Sequence, residues 1–177
     1  MDKHIFKKNA ALTQEESNNC IKYFEEDKDP KEDKIRGYSL VFASLRYDEF
    51  KFLGHLLATN INEYVKQHSF LSNNVFPWTM EEWFNIQKYY PGKCYSGEHM
   101  EHGKDEHDCR RILGWMVYLN DIKKDGGTYW PQQRITTKPR AGDLYIWPAG
   151  WTHSHMGVIA PKETKYILTG WCSLNPK

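Results

Sequence analysis

The sequence predicts an α+β domain in which helices come first and an antiparallel sheet follows, with the helices packed on one face of the sheet. Before about residue 80, apolar residues recur at helical spacing. After it, short segments rich in Ile, Val, Tyr and Trp alternate with turn-forming stretches, as in β-strands. We therefore expect one domain, 1–177, with a helical support region over 1–80 and a sheet core over 81–177.

Two helices are predicted in the first half. Thr13 and Glu16 have the spacing of a capping box, so a helix is expected to begin after Thr13. The charged run EEDKDPKEDK, 25–34, is predicted to be a loop by its composition. A second helix is predicted over 47–68. Its apolar residues recur every three to four positions: Phe50, Leu53, Leu57, Ile61 and Val65.

Four strands are predicted in the second half, over 82–90, 111–119, 142–147 and 165–171. The stretches PGK, KKDGG and PRAG between them are turn signals. This periodicity indicates an antiparallel sheet but does not distinguish one β-sandwich from another.

Composition excludes some classes of partner. The 24 basic and 23 acidic residues give a net charge of +1, so a broad electrostatic surface for nucleic acid is not expected. The N-terminus has no apolar leader, and no segment has the length of a membrane span. The four cysteines are scattered without a C-x-x-C pair, which is typical of reduced thiols in a cytoplasmic protein. The sequence does not indicate an oligomeric state.

A candidate metal site begins at His99 and Glu101. Two residues apart on an extended strand, their side chains leave the same face. A third ligand must come from elsewhere, and 151–155 offers both His153 and His155. Two histidines and one carboxylate form the facial triad of non-haem Fe(II) enzymes. The alternative is an exposed polar loop that binds no metal, because an H-x-E pair arises easily by chance in a chain with eight histidines.

Lys165 suggests an anion site. By strand alternation it shares a face with Ile167, Thr169 and Trp171. A charged amine on such a face is costly unless it meets an anion, and a buried dicarboxylate would be one. The alternative is a lysine at a strand end that extends into solvent.

These residues belong to an ordered series of short motifs. The series is Tyr90-Pro91-Gly92, His99-x-Glu101, Arg111, Tyr118-Leu119-Asn120, Gly126-Gly127-Thr128, Pro139-x-x-Gly142, Trp147-Pro148-Ala149, His155-x-Gly157 and Lys165-Tyr166-Ile167. It covers about half of the chain and resembles the prolyl 4-hydroxylase-like family of Fe(II)/2-oxoglutarate-dependent dioxygenases. The resemblance implies a double-stranded β-helix, or jelly roll, as the catalytic core over 81–177, with the N-terminal helices packed against one sheet.

The resemblance also implies the metal ligands. His99, Glu101 and His155 would bind Fe(II) and form the catalytic centre. His155 is favoured over His153 because it has the family's H-x-G form and lies ten residues before Lys165. Most of the family carries Asp where this chain has Glu101, which keeps the charge and the donor oxygen but adds a methylene.

The co-substrate residues follow from the same resemblance. Lys165 would pair with the distal carboxylate of 2-oxoglutarate, Tyr118 and Thr169 would hydrogen-bond it, and Tyr90 would line the pocket beside it.

The activity implied is hydroxylation of an unactivated C–H bond with Fe(II), 2-oxoglutarate and O₂. By analogy the substrate is a prolyl residue in a peptide or protein, although a small molecule fits the sequence as well. Retention of the carboxylate ligand favours hydroxylation over halogenation. One alternative is a non-redox, cupin-like jelly roll that binds metal or another ligand without needing Lys165. Another is an inactive relative that serves as an interaction module.

Overall fold

The computed structural model describes residues 2–75 and 77–175. The helices within these ranges are α1 (Gln14–Glu26), α2 (Lys51–Gln67) and the short α3 (Phe70–Asn73). The strands are β1 (Phe6–Lys8), β2 (Lys31–Asp33), β3 (Tyr38–Ser44), β4 (Trp78–Met80), β5 (Trp83–Tyr89), β6 (Arg111–Tyr118), β7 (Thr128–Trp130), β8 (Ile135–Thr136), β9 (Leu144–Pro148), β10 (Met156–Gly157) and β11 (Lys165–Leu174). Short 3-10 turns lie at Asp48–Phe50, Asp108–Arg110 and Trp151–His153.

The strands form two antiparallel sheets. The major sheet has the order β1-β9-β6-β11-β5-β3-β2, and β4 pairs with β11. The minor sheet has the order β10-β7-β8. A bridge between His99 and His155 adds a further antiparallel contact outside these strands. The arrangement is the double-stranded β-helix that the family resemblance implied.

The helices cover one face of the major sheet. Phe24 of α1 and Leu53 and Leu57 of α2 are buried in one cluster with sheet residues such as Val117 and Leu168. Burial of these apolar side chains provides the main stabilisation of the helix–sheet layer. The opposite face of the same sheet is therefore left for the candidate site.

The helix predictions are confirmed. The Thr13 hydroxyl accepts a hydrogen bond from the Glu16 amide, and the Glu16 carboxylate accepts one from the Thr13 amide, which completes the capping box. The second predicted helix, 47–68, corresponds to a 3-10 turn followed by α2.

The region 1–80, predicted as a helical support region, contains strands as well as helices. Strands β1 to β4 lie in it, and β3 pairs along its whole length with β5. The charged run 25–34 is also not a loop throughout, because α1 continues to Glu26 and β2 pairs with β3. Strands of three residues such as β1 and β2 have too little pattern of their own and form because a partner strand offers unpaired backbone groups.

The four strands predicted in the second half are confirmed as β5, β6, β9 and β11, with ends that differ by up to three residues. The predicted start of the third, Gly142, instead lies in the turn before β9 at φ +81°. A β-carbon there would meet the Leu12 carbonyl oxygen at 2.2 Å, so this turn depends on glycine.

Within residues 2–75 and 77–175, no helix combines the length and apolar character needed to cross a membrane. All four cysteines lie in this range and are free thiols.

Candidate metal centre and co-substrate pocket

The candidate site is a cavity of about 270 Å³ on the face of the major sheet opposite the helices. Lys165, Ile167, Thr169 and Trp171 of β11 all line it. The prediction that these four residues share one face is therefore confirmed, since alternate residues of a strand point the same way.

Three candidate ligands converge in this cavity. The ligand atoms of His99, Glu101 and His155 all lie within 4.8 Å of one another. The backbones of His99 and His155 hydrogen-bond reciprocally, at 3.0 and 2.8 Å between nitrogen and oxygen. Residues opposed in an antiparallel bridge point to the same side, so this bridge brings the two imidazoles together, with ring centroids 4.4 Å apart.

The two imidazoles are oriented by backbone carbonyls. His99 Nδ1 lies 2.9 Å from the Gly97 oxygen, and His155 Nδ1 lies 3.1 Å from the His153 oxygen. These contacts fix the rings through Nδ1, so that Nε2 is the atom of each ring that would bind a metal, as is usual for histidine ligands. Burial, together with the charge of His155, lowers the pKa of His99, which favours the neutral imidazole that a metal requires.

Glu101 is buried between groups that stabilise its charge. Its Oε1 lies 3.1 Å from His155 Nε2, and its Oε2 accepts a 2.6 Å hydrogen bond from the Trp171 indole. Burial alone would raise the pKa of Glu101, but the contact with His155, the charges of both histidines and the indole N–H hold it at about 2. The carboxylate is therefore ionised and aimed at the histidines before any metal binds.

Gly114 leaves room for the Glu101 side chain. A β-carbon at this position would lie 2.9 Å from Glu101 Cγ and 3.0 Å from the Trp147 ring. The space that a side chain on β6 would fill is thus taken by the Glu101 side chain and the Trp147 ring.

His153 does not join the cluster. It ends the 3-10 turn Trp151–His153, so strand alternation does not apply to it. Its Nδ1 contacts the Thr152 hydroxyl, and its Nε2 lies 3.7 Å from an Asp2 carboxylate oxygen. The geometry accordingly favours His155 over His153 as the distal ligand.

Lys165 lies in the wall of the cavity without a counter-ion. Its side chain is 3% exposed, its Nζ donates to the Gly126 carbonyl at 2.9 Å, and it lies 4.8 Å from the Tyr89 ring centroid. No carboxylate of the described ranges forms an ion pair with it, and burial lowers its pKa to about 8. A buried cation that lacks an anion fits a dicarboxylate co-substrate.

Two of the predicted co-substrate residues lie elsewhere. Tyr90 is 42% exposed and outside the cavity, and its neighbour Tyr89 lines the cavity instead because alternation on β5 places it opposite Lys165. Tyr118 is fully buried behind the wall, where its hydroxyl bonds to Thr137 at 2.6 Å and Thr128 at 3.0 Å. Thr128 is the member of that group that faces the cavity.

A jelly roll with two histidines and a carboxylate beside a buried lysine defines the class of a non-haem metal oxygenase. The model of the 2OG-Fe(II) oxygenase superfamily matches residues 84–173, just over half of the chain. The chain belongs to the 2OG-Fe(II) oxygenase superfamily, and is accordingly an enzyme that uses Fe(II), 2-oxoglutarate and O₂.

Solved structures share the fold at low sequence identity. The viral collagen prolyl hydroxylase of Paramecium bursaria Chlorella virus 1, in its 2OG complex, has a TM-score of 0.74 and 16% identity, covering 99% of this chain and 98% of its own. A prolyl-4-hydroxylase of Pseudomonas putida has a TM-score of 0.70 and 19% identity, covering 98% and 94%. A Trichoplax adhaerens prolyl hydroxylase, in complex with a hypoxia inducible factor peptide fragment, has a TM-score of 0.67 and 14% identity, covering 97% and 84%. The curated proteins contain no match to this sequence.

Proposed function

We propose that this chain hydroxylates a prolyl residue in a peptide or protein. The observation that carries the oxygenase chemistry is the convergence of His99, Glu101 and His155 within 4.8 Å, in the same cavity as the buried Lys165. The prolyl substrate is supported by the shared fold with three prolyl hydroxylases, one of them in complex with a peptide fragment.

His99, Glu101 and His155 would hold Fe(II), which with 2-oxoglutarate and O₂ supplies the oxidation of a C–H bond. Glu101 is already ionised, and the carbonyls that contact both Nδ1 atoms orient the imidazoles for binding through Nε2. Lys165 would neutralise the distal carboxylate of the co-substrate, with Thr169 on the same wall.

Anaerobic visible spectroscopy tests the cofactor part. Adding Fe(II) and then 2-oxoglutarate to the purified protein should produce a charge-transfer band that requires both additions. Lys165→Ala should abolish it, while Lys88→Ala should keep it, because Lys88 lies on the opposite face of the sheet and pairs with Glu25. A band that survives Lys165→Ala would remove Lys165 from the co-substrate site.

Direct Fe(II) titration tests the ligand assignment. We expect His155→Ala to abolish binding and His153→Ala to weaken it only slightly, because only His155 lies in the cluster. If His153→Ala abolished Fe(II) binding and His155→Ala only weakened it, His153 and not His155 would be the distal ligand.

Mass spectrometry of a blocked proline-rich peptide tests the substrate. Incubation with Fe(II), 2-oxoglutarate and O₂ should add one oxygen atom to a proline. Turnover of 2-oxoglutarate with peptides that never gain oxygen on proline would contradict the prolyl assignment and leave the oxygenase class intact.

A cytoplasmic location stays a prediction. The free state of the four cysteines supports it, because reduced thiols are usual in that compartment.

A further inference from the structure

A second cavity of about 270 Å³ lies beside the candidate metal centre. Arg111 and Trp171 line both cavities, so the two share a wall. The rest of the second cavity is formed by Glu81, Glu82 and His107 and by Phe42, Trp83 and Asn85. None of these six residues has a role in the cofactor chemistry described above.

The register of the major sheet places the second cavity on the same face as the first. Asn85 of β5 is paired with Thr169 on one side and with Phe42 on the other. Paired residues of antiparallel strands point to the same side, and Thr169 lines the first cavity. One continuous surface therefore runs from the metal centre across Asn85 to Phe42.

Two buried polar atoms on this surface lack hydrogen-bond partners within the described ranges. Asn85 is only 8% exposed, and its Oδ1 has no partner. The Nε of Arg111 is also without one: a Glu81 carboxylate oxygen lies 3.8 Å from it, and the ion pair of Arg111 with Asp108 is made through Nη2, at 2.6 Å. Leaving a buried polar atom unsatisfied costs about 1–3 kcal/mol. Asn85 and Arg111 both line the second cavity, so they place an unpartnered acceptor and an unpartnered donor beside it, complementary to the N–H and C=O of a peptide group.

Part of the remaining wall is aromatic and exposed, and the rest of it is formed by Glu81, Glu82 and His107. Phe42 is 47% exposed and Trp83 is 51% exposed, whereas the Trp115, Trp130 and Trp147 rings are buried. Exposed aromatic rings beside a polar cleft are typical of surfaces that bind peptides, because they offer a large contact area at low entropic cost.

A cationic side chain would fit this cavity less well than an amide. The two acidic residues that line it already have cationic partners: Glu82 pairs with Arg46 at 2.8 Å, and Glu81 lies 3.8 Å from Arg111. The uncompensated groups are the neutral amide oxygen of Asn85 and a single N–H of Arg111.

We infer that the second cavity binds the peptide residue next to the prolyl residue that is hydroxylated, with Asn85 accepting from its backbone amide and Phe42 and Trp83 packing against its side chain. This inference rests on the proposed function and sharpens it, because it names the site that binds the residue next to the target proline.

The test compares a blocked proline pentapeptide with acetyl-prolinamide, which is too small to fill both cavities. Binding is measured by calorimetry, without O₂, to the protein loaded with Mn(II) and 2-oxoglutarate. The unmodified protein should bind the pentapeptide more tightly than acetyl-prolinamide. Asn85→Leu and Trp83→Ala should each weaken pentapeptide binding about tenfold, with unchanged affinity for acetyl-prolinamide and 2-oxoglutarate.

Matched controls separate this effect from a general loss of structure. Asn60→Leu alters another buried asparagine with an unpartnered Oδ1, on α2 and outside both cavities. Phe70→Ala removes another exposed aromatic ring, on α3. Both should bind the pentapeptide as the unmodified protein does. Because Trp83 is exposed, Trp83→Ala also remains informative if Asn85→Leu folds poorly.

Two results would overturn the inference. One is pentapeptide binding that is unchanged in both Asn85→Leu and Trp83→Ala. The other is equal affinity of the unmodified protein for the pentapeptide and acetyl-prolinamide. Either could occur while proline is still hydroxylated, in which case the proposed function stands. Absence of proline hydroxylation in any peptide is a separate result, and it would overturn the proposed function itself.

Discussion

Strand β11 has two faces with opposite character. Toward the helices, Leu168 and Cys172 are fully buried in the apolar core, and Gly170 lies close against the Trp115 ring. Toward the cavity, Lys165 and Trp171 alternate with them along the same strand. One strand thus carries a face that stabilises the fold and a face that carries the candidate site.

The two faces differ in whether their side chains find all of their partners within the protein itself. The core face is apolar and closely packed, so its contacts are complete in the folded chain. The cavity face contains a buried cation without an anion at Lys165 and, one strand away, the unpartnered oxygen of Asn85. Groups of this kind cost stability until a ligand binds. Substitutions on the two faces should therefore separate folding from binding.

The largest effect is expected for Lys165→Met. Removing the cation should weaken 2-oxoglutarate binding by roughly 3–5 kcal/mol, the cost of breaking a buried charge pair. The free energy of unfolding without ligand should stay the same or rise, because the unpaired charge is gone. Calorimetry and urea unfolding measure the two quantities. If the free energy of unfolding fell by as much as the binding free energy, Lys165 would be a residue that stabilises the fold and not one that binds the co-substrate.

Leu168→Ala, on the face toward the helices, should reduce stability and leave 2-oxoglutarate binding unchanged. Truncating this fully buried leucine should lower the free energy of unfolding by about 2–5 kcal/mol. The folded fraction should bind 2-oxoglutarate as before. Ile35→Ala, at an almost fully exposed position, is the control and should change stability by less than about 0.5 kcal/mol. Weakened 2-oxoglutarate binding in folded Leu168→Ala would show that the two faces are coupled.

Trp171→Phe tests whether the cavity face orients a metal ligand. Loss of the indole hydrogen bond to Glu101 should raise the pKa of that carboxyl and reduce Fe(II) affinity about 10–100-fold. Trp151→Phe, at an exposed position, should leave the affinity unchanged. Equal Fe(II) affinities for the two variants would mean that the indole has no orienting role.

The smallest effect is a pH dependence. Lys165 must be charged to bind a carboxylate, and burial lowers its pKa to about 8 without ligand. Affinity for 2-oxoglutarate should therefore be constant below pH 8 and fall about tenfold per unit above it.

Folding stability should change in the opposite direction in this pH range. Between about pH 8 and the ordinary lysine pKa of 10.5, the unfolded chain binds the proton that the folded chain has lost. This group's contribution to the free energy of unfolding therefore rises with pH there. The rise should be missing in Lys165→Met, and its persistence in that variant would assign it to another group.

Much of this arrangement was predictable from alternation and spacing alone. The cavity face of β11 follows from counting every second residue from Lys165. The capping box at Thr13 and the apolar repeat of α2 are local signals that the structure confirms. The segment YSLVFAS of β3 carried a strand pattern as well, but it lies between helices and was therefore missed.

Other features depend on the tertiary structure. Tyr89 lines the cavity because it pairs with Lys165 across β5 and β11. The sequence alone does not show this pairing, so it could not distinguish Tyr89 from Tyr90. The contact between Trp171 and Glu101 joins residues 70 positions apart in the chain, and no local pattern predicts it. The space that Gly114 leaves for Glu101 is likewise a property of packing.

The reciprocal hydrogen bonds between His99 and His155 have a consequence for amide hydrogen exchange. Both backbone N–H groups are protected by the same bridge, so a local opening exposes them together and separates two candidate ligands. A bound metal ion would cross-link the two segments, and opening would then require its release. The exchange rates of these two amides should fall as metal occupancy rises, so they would measure the fraction of the protein that has metal bound.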